Sequence, residues 1–536
     1  ARLLVGDTGE LPLNRRKVAV ESAVLPMRGN LACDHLRVAQ DIGHQGFVWR
    51  GLYKLDKENK PQPEMAASAP TISQDQKTYT IKLKPGLKWS DGQPLTAKDF
   101  VAGIQRTCDP DNAGQYQYLL SNIVGCDAFY NANGDPKASP PVPAKSAAEK
   151  DALRNAIGAR AVDETTLEYK LIDVQPTTTI ILSLWMTYPV PTHIVKTSGE
   201  PWPTDPTKLA FNGPFKLTSY TAKSGAKFAR NDNYGGPKKA YLDTVEFKYI
   251  EDNAQSNNAF RAGQIQMALA DTANLNAIKS EFKDKLLSYP QARTTALQMQ
   301  MEKKPLDNEK VRLALSKAID RKTLAENVLQ GSVIPGTSWI PADVIGIDPK
   351  AFDAKVGYNP DEAKKLLADA GFANGANFPE LSIIIRDTPS NKALAQFLQS
   401  EFKKILNINV GIEVLDSPTR SKRFTTEDFT LFPGGWQQDY PDPENFLDIH
   451  FYSKSRQNET QYENRQVDTL IEQARTERNP EKRNQIYNEI ERLVVQDAPW
   501  IPLFYGSSAL LVKPNLKGYQ ATGLVVPMLK YLSLER

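Results

Sequence analysis

The chain has 536 residues, of which 40% are hydrophobic and 24% charged; that apolar share is enough for packed cores and excludes wholesale disorder. Its 66 basic and 63 acidic residues leave a net charge of +3, which gives no support for a dedicated nucleic-acid binder. At about 150 residues per domain the length corresponds to three to four domain-sized units.

In chain order, residues 77–84 alternate strictly, with Tyr79, Ile81 and Leu83 on one side, and read as a half-buried strand. Turns follow at Pro85–Gly86 and Asp91–Gly92. Thr96 then caps a helix with Asp99 in its first turn and Phe100, Val101 and Ile104 facing inward. Cys108 and Cys126 flank a short polar segment and could equally close a disulfide or be two buried thiols. Asp109, Asp111, Asn112 and Gly114 resemble the start of a calcium loop, but its twelfth position is Leu120, so an Asp-Pro turn is the better reading. Residues 131–144 and 196–208 are rich in turn formers and read as loops. Asn359, Pro360 and Glu362 open a helix that Gly371 follows. A further helix is expected over 391–406, with Leu394, Leu398, Phe402 and Ile405 on one face. Ile408, Val410, Ile412 and Val414 then alternate as a strand. Strands alternating with helices signal α/β layers.

The most apolar stretch, around 180–185, is short and is followed by Pro189 and Pro191, so this sequence contains no candidate membrane span. No basic segment followed by an apolar run stands at Ala1, as expected if a signal segment is absent from this chain. The four histidines (His35, His44, His193, His450) form no i,i+4 pair and the three cysteines no C-x-x-C, so no metal site is expected. The nucleophile elbow, the H-E-x-x-H motif, the P-loop and the dinucleotide fingerprint are all missing. These absences lower the expectation of an enzyme, although a carboxylate dyad has no short motif.

Several blocks together carry a resemblance: GFVWRGLYKL at 46–55, KTYTIKLKPGLKWSDGQPLTAKDF at 77–100, YPVPTHIV at 188–195, FNGPFKLTSY at 211–220, YNPDEAKKLLADAGF at 358–372 and GGWQQDYPDPENFL at 434–447. In identity and order they resemble the extracytoplasmic solute-binding proteins of ABC importers, in the oligopeptide/dipeptide-binding family (family 5), over nearly the whole chain. The resemblance implies an α/β, two-lobed periplasmic-binding-protein fold (type II, with an extra subdomain) and a ligand cleft between lobes that close about a hinge. Lobe I would be 1–49, 190–291 and 502–536; the extra subdomain 50–189; lobe II 292–501. It further implies a non-catalytic protein without cofactor, monomeric, periplasmic or anchored as a cell-surface lipoprotein. It would deliver peptides to a membrane-embedded ABC permease with its ATPase subunits. An oxidising location favours the Cys108–Cys126 disulfide and leaves Cys33 free or buried.

By the same resemblance Asp439, in the segment Gly435-Trp436-Gln437-Gln438-Asp439-Tyr440, anchors a peptide's α-ammonium; the alternative is a turn-forming Asp ahead of Pro441. The backbones of Gly435 and Gln437 would pair with the ligand as an added strand, with Gly435 allowing close approach. Trp436 would wall a side-chain pocket or simply pack in the core, the commoner use of Trp. Tyr116 would touch the ligand main chain from the facing lobe, and Arg37 and Ala39 would lie along it; peptide binders of the family can carry Glu where Arg37 stands. At the carboxylate end, Asn391 replaces a family His, Val328–Leu329 a Lys and Pro433 an Arg. Arg386, Arg420 and Arg423 remain as candidates, each also expectable as a surface charge. Readings left open are a receptor of the same fold for an oligosaccharide, opine, metal chelate or haem; an extracytoplasmic hydrolase; and a sensing role.

Overall fold

Strand Thr78–Lys82 buries Tyr79 and Ile81, as its alternation requires. It is the second strand of a small antiparallel sheet ordered 71–72, 78–82, 166–170, 159–161. The computed structural model describes residues 17–22, 46–112, 116–135, 140–195, 208–221, 224–237, 240–250, 252–341, 344, 352–455, 457–519 and 531–535. Helix Ala97–Thr107 begins at Thr96 in a capping box: the Thr96 N–H donates to Asp99 Oδ2 at 2.8 Å. The other Asp99 oxygen accepts the Thr192 hydroxyl at 2.6 Å and its N–H at 3.2 Å, while the fully buried Trp89 indole donates to Oδ2 at 3.4 Å. One buried carboxylate therefore ties block 77–100 to block 188–195, and both are structural. Phe100 and Ile104 are buried; Val101 is only half-buried.

Cys108 and Cys126 are bonded, 18 residues apart, with Cα atoms at 5.2 Å. A loop of that length corresponds to about 3 kcal/mol of stabilisation through the unfolded chain. The loop it closes carries Tyr116 and Tyr118. Asp109 accepts the Asp111 N–H at 2.9 Å, a local turn. In the segment expected as a loop, Asn131–Asn133 is one 3₁₀ turn and Asp135 bridges to Val142. Cys33, and all of 196–208 except Lys208, lie outside the described residues.

Asn359 caps helix Pro360–Asp369 by accepting the Glu362 N–H. The next helix starts two residues before its expected position, at Pro389, because Thr388 accepts the Asn391 N–H and Pro389 is pre-set for a first turn. Its α-helical part ends at Glu401, and Phe402–Leu406 forms a π-helical turn. Strand Val410–Leu415 buries Val410, but Val414 is 45% exposed. It is the outermost strand of its sheet, so its far end is left uncovered.

That sheet has seven strands, ordered 267–269, 500–512, 286–299, 431–437, 381–386, 410–415, with 333–335 added to 500–512. A separate four-stranded sheet contains 17–22, 244–249, 225–230 and 215–221. One continuous core gathers residues from Phe47 to Met267 with Tyr440, Leu510, Leu516 and Leu532. Two others gather residues from 296 to 503. Strands Leu286–Met299 and Trp500–Val512, of 14 and 13 residues, run between these two regions and pair antiparallel. Their register breaks between Pro290 and Thr294 and again between Thr295 and Ala296. The result is a two-lobed α/β fold crossed by two long strands.

Candidate functional site

Strand Leu431–Gln437 sets the site. One edge pairs with the long strand, Thr295 opposite Gly435 and Arg293 opposite Gln437. The other edge meets strand Leu381–Arg386 at a single register pair, Ile383 with Leu431. From Phe432 to Gln437 that edge has no strand partner among the described residues, and Gly435 is exposed. Unpaired main-chain groups of this kind can accept an added strand. A Cβ on Gly435 would lie 1.9 Å from the Thr294 carbonyl. The neighbouring strand thus demands glycine here, a reason independent of any ligand. Gly435→Ala is expected to destabilise the ligand-free protein by roughly 1–3 kcal/mol; a wild-type denaturation midpoint would show that the two strands part freely.

The chain turns after Gln438 and buries Asp439, 4% exposed. Its N–H donates to Asn445 Oδ1 at 2.8 Å, and its carboxylate accepts Asn445 Nδ2 and the Tyr116 hydroxyl, each at 3.4 Å. Tyr116 comes from a point 323 residues earlier in the chain, on the facing side, and is braced edge-on by Trp185 at 5.0 Å. Among the described residues no lysine or arginine pairs with Asp439. Burial pushes its carboxyl up to about 7, against the opposing pull of the Asn445 and Tyr116 hydrogen bonds. This is a desolvated carboxylate that no lysine or arginine among the described residues neutralises. Trp436 is half-buried against the third core; its indole donates to the same Asn445 Oδ1 at 3.0 Å and its ring meets His450 at 4.8 Å. It packs, as Trp commonly does, and it also holds the residue that orients Asp439.

Below this contact Tyr440 is wholly buried in the first core, and its hydroxyl donates to Glu444 at 2.8 Å. Thr177 reaches Glu444 from the facing side. A cavity of about 850 Å³ opens between residues 117–130 and 173–175 on one side and 440–476 on the other. Tyr118, Gln175, Glu444 and Arg475 are among its lining residues, while Asp439 and Trp436 are not.

The structure therefore brings together Gly435, Trp436, Gln437, Asp439 and Tyr116. Gln437 Nε2 donates to the Ala292 carbonyl at 3.3 Å. Arg37 and Ala39 lie outside the described residues. Asn391 sits in the first turn of helix Pro389–Glu401, five residues after Arg386. Arg423 is removed from the ligand candidates: it pairs with Glu413 at 3.1 Å and Asp428 at 2.7 Å. Asn445 lies within the block 434–447, but nothing local shows that it would orient Asp439, six residues earlier; Arg293 belongs to no pattern that marks it.

The bacterial extracellular solute-binding proteins, family 5, match this sequence over residues 60–458. The chain belongs to this family. It is 30% identical over 480 residues, 88% of this chain and 85% of the other, to the probable deoxycholate-binding periplasmic protein YgiS of Escherichia coli K12. It is 26% identical over 501 residues, 90% of this chain and 87% of the other, to the oligopeptide-binding protein OppA of Bacillus subtilis 168. Among solved structures, the periplasmic oligopeptide-binding protein OppAIV of Borrelia burgdorferi aligns with a TM-score of 0.78 at 27% identity, over 97% of this chain and 99% of that one. Family 5 membership makes the chain an extracytoplasmic binding protein, not an enzyme. Such a location is one where a disulfide like Cys108–Cys126 persists. Among the described residues no helix is long and apolar enough to cross a membrane, and no cluster of His, Cys, Asp or Glu could hold a metal.

Proposed function

We propose that this family 5 protein binds a peptide by its free α-amine at Asp439, lays it along the open edge of 432–437, and passes it to an ABC permease with its ATPase subunits. The observation that carries the reading is the buried carboxylate of Asp439, which no cation among the described residues pairs, at the end of a strand edge with no strand partner among them. An ammonium supplies the missing charge, and main-chain pairing gives affinity without sequence selection. In this reading lobe I is 1–49, 190–291 and 502–536, the extra subdomain is 50–189 and lobe II is 292–501. The two register breaks beside these boundaries act as the hinge. Opening hydrates Asp439; closure on an amine pairs it, so ligand favours the closed state.

The relative named for deoxycholate binding supports a second reading, a non-peptide amphiphile. Such a ligand would leave Asp439 without an amine. Mass spectrometry of ligand released by denaturing the purified protein separates the two. Short peptides with free amines are expected, and a steroid or other amine-free solute as the sole ligand would overturn the peptide reading.

A further inference from the structure

We infer that the C-terminal end of helix Ala97–Thr107, residues Thr107 and Cys108, positions Tyr116 against Asp439, so that the Cys108–Cys126 disulfide serves ligand affinity as well as stability. The inference rests on the peptide reading above and deepens it by naming what holds the facing half of the amine site. Among the described residues Tyr116 is the one group from the facing side that hydrogen-bonds Asp439, at 3.4 Å. That distance is near the limit of a hydrogen bond, so a displacement of about half an ångström away from Asp439 abolishes it.

Tyr116 is held on two sides, and both supports run back to adjacent residues. The first support is Trp185, whose buried ring meets it edge-on at 5.0 Å. Trp185 opens the short turn Trp185–Thr187, and the Thr107 hydroxyl donates to the Met186 carbonyl in that turn at 2.7 Å. The helix lies so near the residues that follow that a Cβ on Gly103 would stand 2.1 Å from the Tyr188 carbonyl. The second support is the segment that carries Tyr116. Cys108, directly after Thr107, is bonded to Cys126. Cys126 Sγ and Asp127 Oδ1 accept the side-chain amide of Gln117 at 3.4 and 2.6 Å, and Gln117 is the buried neighbour of Tyr116. One helix end therefore fixes both the ring that braces Tyr116 and the segment that bears it.

The disulfide has a distinct share in this. The far end of its loop is held without it: Ile123 bridges to Leu171, and the Val124 N–H donates to the Lys170 carbonyl at 3.0 Å. The near end meets Asn133 and Lys150 through the exposed Asp111, at 3.1 Å each. The two cysteines join these ends where both are fully buried. A cross-link restricts the loop whether the chain is folded or not, and a polar contact across a cleft is worth most when its support is rigid.

The test is calorimetric titration of the full chain, freed of ligand, with tetra-alanine as the free amine and as the N-acetyl form. Wild type, Thr107→Val and Cys108→Ala/Cys126→Ala are compared, each with and without Tyr116→Phe. Wild type is expected to favour the free amine, and Tyr116→Phe alone to lower that preference about tenfold. Thr107→Val and the cysteine variant should each lower it about threefold or more while Tyr116 is present, and change it no further once Tyr116→Phe is in place. Thr107→Val keeps the disulfide and decides the matter if the cysteine variant does not fold. The cysteine variant should also melt lower, the one effect that a merely structural bond would show. Lower melting with an unchanged preference for the free amine would overturn the inference. So would equal losses with and without Tyr116→Phe, because the helix end would then act by another route. A wild type indifferent to acetylation would instead overturn the amine reading on which the inference rests.

Discussion

Asp439→Asn is expected to weaken binding of free-amine peptides by about a hundredfold or more, and to leave N-acetylated peptides nearly unaffected. Asn has the shape and can accept a hydrogen bond, but it carries no charge. The ammonium would then be enclosed against Asn445 and Tyr116 with no counter-ion. Stranding a buried charge in this way costs roughly 3–5 kcal/mol, with about 1.4 kcal/mol per factor of ten. Calorimetry on paired free and acetylated peptides measures the effect, and equal affinity of wild type and variant for the free peptides would remove Asp439 from the site. The same substitution changes the ligand-free protein in the opposite sense. Burial raises the Asp439 carboxyl from 3.8 to about 7. A raised folded value means that this term's stability is fully present below about pH 4 and is lost as pH climbs to about 7. The closed, ligand-free form should therefore lose stability over that window, and the Asn variant should lose less and melt higher at pH 7–8. A pH profile of melting temperature identical in both proteins would show that the carboxylate is not desolvated in solution.

Arg483→Met is expected to cost about 3–5 kcal/mol near pH 8, the largest stability effect of any single substitution considered. Arg483 is 5% exposed; it binds Asp442 at 2.6 Å, Glu444 at 2.9 Å and the Ala474 carbonyl at 3.1 Å, and stacks on Tyr487. Met keeps much of the packing and removes the charge, leaving two buried carboxylates in mutual repulsion beside Asp448. Burial, then the charge of Asp442, already pushes Glu444 up to about 7 against the pull of Arg483. Without the guanidinium, Glu444 should titrate higher still. The raised carboxyl makes the sign definite: the variant's deficit is greatest above about pH 7 and shrinks as acid protonates the pair. Denaturant unfolding at pH 5.5 and pH 8 measures this, with Arg483→Met/Glu444→Gln expected to recover part of the loss. A deficit below about 1 kcal/mol, equal at both pH values, would show that the carboxylates find other partners. Because Glu444 also holds Tyr440 and meets Thr177, this network sets the floor beneath Asp439.

Much of the local structure was legible because its causes are local. Thr96 with Asp99, and Asn359 with Pro360, announce helix starts through groups three residues apart. The alternation of Tyr79 and Ile81 needs only a period of two. Thr388-Pro389 was an equally good start signal and went unread, so that helix was placed two residues late. Val414 alternates correctly yet lies exposed, because periodicity cannot say that a strand is the last of its sheet. The GGWQQDY segment was recognisable, but the reason for Gly435 was not: the carbonyl that excludes a side chain belongs to Thr294 on another strand.

By itself the sequence determined the fold class, the family resemblance, the helix caps and the pairing of acidic and turn residues within a few positions of one another. Tertiary structure alone decided the chemistry of the cleft. Arg420 and Arg423 stand on one short helix and are equivalent in sequence; only the fold gives Arg423 two carboxylates and Arg420 none among the described residues. Asp439 becomes a charge in need of a partner only when Tyr116, 323 residues away, is laid over it and water is excluded. Desolvation is a property of what surrounds a group from every side, and most of those surroundings are distant in the chain.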